Sequence, residues 1–206
     1  MMLNQNIALL TSTNKTVRAG LLAAAIALLA NASWIHVKAG LAQLLIQNAW
    51  ASSLHKNNQS NPARPWPWAD TWPVARLQYH HQTHVKDLYI LAGAQGNSLA
   101  FGPGHLYGSS LPGAKGTSIV GGHRDTHFRF LEHVKVDDSF YITNRQGIKN
   151  RYQITSLAIE DSQTDTLSAY SNTNQLILVT CYPFNSLETG GSLRYVVRAT
   201  LVPPIH

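Results

Sequence analysis

Cysteine is almost absent from this sequence, since only one of its 206 residues, Cys181, is a cysteine. A single thiol excludes an intramolecular disulfide as a source of stability. If the protein leaves the cytoplasm, a leftover cysteine indicates either pairing with another chain or a reactive thiol. The remaining interpretation is an inert, buried cysteine that acts as a small hydrophobic residue.

Acidic residues are absent from the first third of the chain, since none precedes Asp70. Five of the 16 basic residues precede it, which leaves 11 basic and 10 acidic residues from Asp70 onward, so +5 of the net charge of +6 belongs to the N-terminal part. Basic residues that flank an apolar segment indicate membrane topology rather than nucleic-acid binding. The rest of the chain lacks a basic stripe with interleaved aromatic residues, so no nucleic-acid partner is expected.

Charge of either sign is absent from the 19 residues between Arg18 and Lys38. As a helix they would span about 28 Å, close to the hydrocarbon core of a bilayer. Lys15 and Arg18 precede this segment, which favours a cytoplasmic N-terminus and an exported body. We favour an uncleaved signal-anchor; the alternatives are a signal peptide cleaved after Ala32 and a buried helix.

The stretch that follows predicts a second helix and then a linker. Apolar residues at helical spacing predict an amphipathic helix over 38–54, lying on the membrane or on the body. A polar and then proline-rich stretch predicts the linker. The predicted organisation is a signal-anchor with an amphipathic helix over 1–54, a linker over 55–65 and the body over 66–206. The apolar residues of the amphipathic helix are Leu41, Leu44, Leu45, Ala49 and Trp50.

Three tryptophans lie close together in sequence at the start of the body, at Trp66, Trp68 and Trp72. Large aromatic residues of this kind are typical of a plug at the end of a core. A binding surface is the alternative interpretation.

The body consists of short apolar runs separated by turn residues, with little helix. About eight strands in this length predict an all-β fold, either a barrel or a sandwich, and a closed barrel would leave no exposed strand edges. The glycine- and proline-rich stretch over 102–116 predicts a long loop with at most a helical turn. The predicted strands are 75–80, 86–92, 98–101, 117–122, 139–144, 152–159, 175–181 and 194–202.

Three polar residues lie at predicted strand ends, where a rigid scaffold can present reactive groups. Cys181 ends an apolar strand, His123 follows a strand and two glycines, and Arg194 begins the last strand. An imidazolium near a thiol favours the nucleophilic thiolate and can protonate a leaving amine. An arginine stays charged and can stabilise both a thiolate and an acyl oxyanion.

A metal site is an alternative use of His123, because Asp125, His127 and His133 lie nearby in sequence. The spacing of His123 and His127 matches a zinc-binding helix only in part, since Arg124 stands where that motif requires a glutamate. The two glycines before His123 also disfavour a helix. We therefore expect no metal and no cofactor.

These residues resemble the motifs of the sortase family, which are membrane-anchored cysteine transpeptidases. The family's signature is a histidine after a strand, a T-L-x-T-C segment that ends a later strand, and an arginine that opens the next one. The matching segments are GGHRDTHF around His123, ILVTC ending in Thr180 and Cys181, and RYVVRA beginning at Arg194. Ile177 replaces the first threonine of the signature, and GHRDTHF is similar to the class C, D and E branch.

The resemblance implies that residues 66–206 form an eight-stranded closed β-barrel with short helical turns, which is the catalytic domain. It implies that Cys181 attacks the threonine carbonyl of an LPxTG-like sorting signal. Arg194 would bind the substrate backbone and the oxyanion. His123 would protonate the departing amine and then deprotonate an incoming one. Thr180 would contact the substrate or support the site from the strand of the cysteine.

Two further assignments concern neighbours of these residues. Arg198 lies four residues after Arg194 on the same face of the strand and is its main rival for the arginine role. We prefer Arg194 because it lies nearer to Cys181 if the two strands are antiparallel. Asp125 is expected to orient the loop over 124–127.

The segments PWPWADTWPVARL and KAGLAQLLIQNAW resemble the subgroup of sortases found in marine Gram-negative bacteria. That resemblance implies a single-pass protein of the inner membrane with its catalytic domain in the periplasm. The implied partners are a surface protein with a C-terminal LPxTG-like sorting signal and an amine acceptor on the cell envelope or on another protein.

Two other functions stay open at this point. A cysteine hydrolase would use the same three residues with water as the acceptor. A non-catalytic, membrane-tethered binding barrel would need no reactive thiol and predicts a buried, inert Cys181. The L,D-transpeptidases are disfavoured because their histidine and cysteine are close in sequence, whereas His123 and Cys181 are 58 positions apart.

Overall fold

The computed structural model describes residues 3–55, 62–81, 84–96, 98–169, 173–186 and 190–203. The chain divides into two compact units, residues 1–42 and residues 43–206. Residues 56–61 of the predicted linker lie outside the described residues. The predicted boundaries after residues 54 and 65 therefore stay predictions.

The first element is one helix, α1, over Leu3–His55. Alanine and leucine are frequent in it and proline is absent, so nothing breaks the helix between the two segments that the sequence predicts separately. The segment Val17–Leu54 is long and apolar enough to cross a membrane by length and composition. Five apolar side chains between Leu21 and Leu29 are each 64–71% exposed, a surface that water does not favour.

The last turns of α1 belong to the second unit and pack on it. The ring of Trp50 is buried, with its centroid 6.1 Å from that of Tyr89. The side-chain amide of Gln43 donates a hydrogen bond to the carbonyl of Phe101 at 2.7 Å. Leu44, by contrast, is 58% exposed and is not among the predicted apolar residues that pack on the body.

Eight strands form a closed barrel, which confirms the predicted all-β class and the number of strands. The strands are β1 (Pro73–His81), β2 (His84–Ala92), β3 (Gly104–His105), β4 (Thr117–Gly121), β5 (Ser139–Asn144), β6 (Lys149–Asp161), β7 (Gln175–Cys181) and β8 (Leu193–Leu201). They follow one another around the barrel in the order β1-β2-β3-β4-β7-β8-β6-β5. Two short helical segments lie between them, α2 (Ser98–Phe101) and a 3-10 helix (Arg129–His133).

Two predicted elements differ from the structure. The strand predicted at 98–101 is wrong, because these residues form α2, in which the Ser98 hydroxyl donates to the carbonyl of Gly93 at 2.8 Å. β3 lies in the stretch predicted as a loop and pairs with β2 and β4. A Cβ atom on Gly104 would lie 2.2 Å from the carbonyl oxygen of Gly93, so only glycine allows this approach. The other seven predicted strands form, with ends within three residues of the prediction.

Alternation along β7 separates two apolar clusters. Leu176 and Leu178 belong to the core inside the barrel, whereas Ile177 and Val179 lie in a cluster on its outer face. Each fully buried leucine or isoleucine contributes about 2 kcal/mol, and a slip of one residue would exchange the two faces, so the register is strongly specified. Cys181, two residues after Val179, also faces outward. The outer cluster consists of Ile119, Ile177 and Val196, with Leu167, Ala169 and Val179 packed against them.

The three tryptophans at the start of the body have different surroundings. Trp72 packs against the barrel core, and the ring of Trp66 lies 5.2 Å from that of Phe101. Trp68 is 82% exposed. The plug interpretation therefore fits Trp66 and Trp72 but not Trp68.

Candidate active site

Strand pairing brings His123 and Cys181 to the same end of the barrel. β4 and β7 are parallel neighbours, and Gly121 is the register partner of Val179. His123 and Cys181 each lie two residues beyond this last pair. The amide of Gly122 donates to the carbonyl of Val179 at 3.1 Å, which extends the pairing by one residue towards His123.

Arg194 reaches the same end of the barrel from the other side of β7. β7 and β8 are antiparallel, and Cys181 is the register partner of Arg194. Partners in an antiparallel pair project their side chains to the same face of the sheet, here the outer one. The three sequence-predicted residues are therefore neighbours in the barrel although they are far apart in sequence.

A cleft of about 250 Å³ opens at the thiol. We call it the thiol cleft; both Cys181 and His123 are exposed there. Exposure of Cys181 argues against the inert, buried cysteine that a non-catalytic barrel predicts. The cleft is lined by His123, Arg124, Asp125, Cys181, Tyr182, Gly190 and Gly191.

The guanidinium of Arg194 lines a second cleft next to the first. Its Nη1 donates to the carbonyls of Gly191 at 2.6 Å and Leu193 at 2.9 Å. The second cleft, which we call the arginine cleft, has a volume of about 320 Å³ and borders the outer cluster through Val196 and Leu167. Its lining residues are Glu160, Asp161, Ser162, Asp165, Thr166, Leu167, Arg194 and Val196.

Arg198 is held in a different way. Its Nη2 lies 2.6 Å from Oε1 of Glu160, an ion pair in which both side chains are mostly buried. Its register partner on β7 is Ile177, four residues before Cys181. At about 3.4 Å per residue, that offset moves Arg198 roughly 14 Å along the strand from the thiol end.

Thr180 lies on the inner side of β7. It is 2% exposed, and its hydroxyl donates to the carbonyl of Gly122 at 2.7 Å. This bond links the strand of the cysteine to the residue before His123. The predicted contact of Thr180 with substrate stays a prediction.

Gly122, directly before His123, is closely approached by another part of the chain. A Cβ atom there would lie 2.7 Å from the ring of Phe128, which is fully buried. The amide of Phe128 donates to the carbonyl of His123 at 3.0 Å. The turn that carries the histidine is thus packed against the barrel core.

The sequence interpretation missed Arg124, whose side chain is 8% exposed. Its Nη1 donates to the carbonyl of Pro183 at 2.9 Å and its Nη2 to that of Ser186 at 2.8 Å. Arg124 therefore ties the loop of the histidine to the loop after the cysteine. Asp125, which we expected to orient this loop, lies 3.4 Å from Nε of Arg124 and is itself 68% exposed.

Two side chains near the site have shifted pKa values, and burial is the main cause of both shifts. The pKa of His127 is lowered, mainly because the half-buried ring is desolvated, while Lys86 and His123 add smaller effects of the same sign. The pKa of Tyr195 is raised by burial and, to a smaller extent, by Tyr182. Within the described ranges, no three His, Cys, Asp or Glu side chains are grouped to hold a metal ion.

A closed β-barrel with an exposed cysteine at one strand end, and a histidine and an arginine at the same end, defines a candidate enzyme with a cysteine nucleophile. The family model of the sortase domain matches residues 82–202, more than half of the chain. This chain belongs to the sortase family.

Individual relatives support this membership. Sortase D of Bacillus subtilis (strain 168) is 30% identical over 112 residues, which are 54% of this chain and 56% of that protein, so the match spans about half of the relative. Sortase A from Corynebacterium diphtheriae has a TM-score of 0.58 at 26% identity, covering 81% of this chain and 84% of that one. A Clostridium perfringens sortase D5 transpeptidase has a TM-score of 0.53 at 25% identity, covering 64% and 80%.

Proposed function

We propose that this chain is a sortase-type cysteine transpeptidase that cleaves an LPxTG-like sorting signal and transfers the acyl group to an amine. The observation that carries the proposal is the strand register, in which Cys181 lies opposite Arg194 and at the same end as His123. Membership of the sortase family supports transpeptidase chemistry in general.

The outer face of the barrel fits the acyl donor. The outer cluster gives an apolar floor beside the arginine cleft, and such a floor suits the leucine and proline of a sorting signal. Arg194 borders the same cleft and can bind peptide carbonyls. The threonine carbonyl of the signal would then lie over Cys181.

In the first half of the reaction the Cys181 thiolate attacks the threonine carbonyl carbon and forms a C–S bond. Arg194 stabilises the oxyanion of the tetrahedral intermediate. The C–N bond breaks as the His123 imidazolium gives its proton to the departing amine. A Cys181 thioacyl group and a neutral imidazole result, and Thr180 supports the site through its bond to Gly122.

In the second half an amine attacks the thioacyl carbon, and His123 accepts a proton from it. A C–N bond forms, the C–S bond breaks and the thiolate returns. With water as the nucleophile the same residues would give hydrolysis, which is the alternative outcome of the test.

We infer that α1 anchors the protein in an inner membrane as a single-pass signal-anchor, with residues 66–206 as a periplasmic catalytic domain. The length and apolar composition of Val17–Leu54 support an anchor, and the basic residues before it favour a cytoplasmic N-terminus. The donor would be a surface protein with a C-terminal sorting signal, and the acceptor an amine on the envelope or on another protein.

The test uses the full chain in detergent with a fluorogenic LPxTG peptide, with and without an added amine. Cleavage and an amine-linked product are expected from the wild-type protein, and neither from Cys181→Ala. Equal cleavage by the wild-type protein and by Cys181→Ala would contradict the proposal. Cleavage that yields only free acid when amine is present would identify a hydrolase instead.

A further inference from the structure

A third cleft adjoins the thiol cleft. We call it the aromatic cleft; its volume is about 270 Å³. Tyr182, which follows Cys181 directly, lines both the thiol cleft and this one. The aromatic cleft is lined by Glu132, Tyr182, Pro183, Phe184, Asn185 and Tyr195.

Alternation along β8 puts the arginine and aromatic clefts on different sides of the site. Arg194 and Val196 line the arginine cleft on the outer face, whereas Tyr195 lines the aromatic cleft and packs against the core inside the barrel. A donor peptide held over the arginine cleft would point the amine side of its scissile bond away from that cleft. The departing amine would then leave, and the incoming amine arrive, across the thiol cleft, which the aromatic cleft adjoins through Tyr182.

The lining of the aromatic cleft suits a positive charge. The ring centroids of Phe184 and Tyr195 are 5.2 Å apart, and that of Tyr182 lies 6.3 Å from each of them. The faces of aromatic rings attract cations, and no basic side chain is among the described lining residues.

The aromatic cleft is also lined by a carboxylate, that of Glu132. Glu132, in the 3-10 helix, accepts a hydrogen bond at Oε1 from the side-chain amide of Asn185 at 3.3 Å. This bond holds the carboxylate beside the loop that carries Tyr182 and Phe184. A carboxylate next to aromatic faces is selective for ammonium groups over neutral ones.

We propose that the aromatic cleft binds the acceptor as a primary ammonium group, with Glu132 and the rings recognising its charge. The proposal rests on the transpeptidase function proposed above. On leaving the cleft the ammonium gives one proton to solvent, and the free amine attacks the Cys181 thioacyl carbon. As the C–N bond forms and the C–S bond breaks, His123 takes the second proton, so the imidazolium and the thiolate are both restored.

The first experiment changes charge without changing shape. The full chain in detergent is incubated with a fluorogenic LPxTG peptide at pH 7 and either glycinamide, which is mostly protonated there, or hydroxylamine, which is mostly uncharged. In Glu132→Gln the glutamine oxygen can still accept the bond from Asn185. We expect the KM for glycinamide to rise about tenfold, while the KM for hydroxylamine and the hydrolysis rate without acceptor stay within about twofold.

Glu160→Gln is the matched control, because it removes a carboxylate on the arginine-cleft side, and it should leave the glycinamide-to-hydroxylamine ratio unchanged. An unchanged KM for glycinamide in Glu132→Gln, or an equal rise for both acceptors, would overturn the proposal. If the wild-type protein fails to cleave the peptide at all, the function proposed above has failed, which is a distinct result.

A second measurement needs no variant. Tetramethylammonium carries a charge but no N–H, so it cannot react, and aromatic clefts bind such quaternary ions. It should compete with glycinamide and leave both hydrolysis and hydroxylamine transfer unchanged. Absence of competition, or equal inhibition of all three reactions, would contradict an ammonium site in the aromatic cleft.

Discussion

Cys181 on β7 lies directly opposite Arg194 on β8, whereas Arg198 lies opposite Ile177 and is paired with Glu160. This difference predicts that Arg194 contributes more to peptide cleavage than Arg198 does. Arg194→Ala should lower kcat/KM about 100-fold, because the oxyanion loses its charged donor. Arg198→Ala should cost far less, and steady-state cleavage of the LPxTG peptide compares the two. A larger loss at Arg198 would reverse the assignment.

The exposure of Cys181 predicts that the folded protein reacts with a small alkylating reagent. Because the chain has one cysteine, labelling should stop at one group per molecule, measured by mass spectrometry of the intact chain. Cys181→Ala should take up no label. Labelling that requires denaturant would contradict an accessible nucleophile and favour the non-catalytic barrel.

Arg124 should act as a positioning residue. Its two nitrogens reach carbonyls of Pro183 and Ser186, and the compact ammonium of Arg124→Lys cannot span both. We expect kcat to fall about tenfold with KM within about twofold, since the loops of His123 and Cys181 lose their alignment.

Arg76→Lys is the control for Arg124→Lys, because Arg76 pairs with Asp87 between β1 and β2. It should leave kcat within about twofold. An equal loss of kcat in both variants, or a rise in KM alone for Arg124→Lys, would show that Arg124 does not align the two loops.

Gly122 and Gly121 should respond differently to the same added methyl group. A Cβ atom on Gly122 meets the buried Phe128 ring at 2.7 Å, whereas one on Gly121 has Ala94 Cβ as its nearest contact at 3.8 Å. Gly122→Ala should destabilise the fold by about 1–3 kcal/mol through overpacking. Denaturant unfolding of both variants measures this, and equal stabilities would refute the clash.

The folded state should lose stability in mild acid because the side chain of His105 is buried. The pKa of His105 is lowered from its ordinary value of 6.5, mainly by burial, and hydrogen bonds with Ser110 and Ser109 oppose this only in part. The unfolded state therefore binds more protons than the folded state as the pH falls through 6.5, and stability present above that pH is lost below it. Thermal unfolding should show a lower Tm at about pH 5.5 than at pH 7.5. His105→Gln should reduce this difference, and a Tm that rises in acid would contradict the sign.

The parts of the fold and site that the sequence could predict are those with a periodic or ordered signal. Alternation in β8 placed Arg194 and Arg198 on one face, and three motifs in the right order identified His123, Cys181 and Arg194 as candidates. β3 could not be predicted, because two residues show no period and its pairing depends on the close approach of Gly104 to Gly93.

Other residues escaped prediction because their partners are set by tertiary structure. Arg124 reaches carbonyls that lie 59 and 62 positions away. Glu132 meets Asn185 only because a 3-10 helix and a later loop converge beside the thiol. The continuity of α1 was also missed, since composition alone marks where apolar character changes and not whether a helix ends there.

The parallel pairing of β4 with β7 has a consequence for the order of events during folding. β5 and β6 lie between the two strands in sequence, and the Thr180–Gly122 bond closes a separation of 58 positions. Contacts this distant in sequence form slowly. A chain that is still unfolded carries its thiol without the histidine and arginine beside it. Reactivity would arise only when the barrel closes, so that the appearance of activity reports the completion of folding.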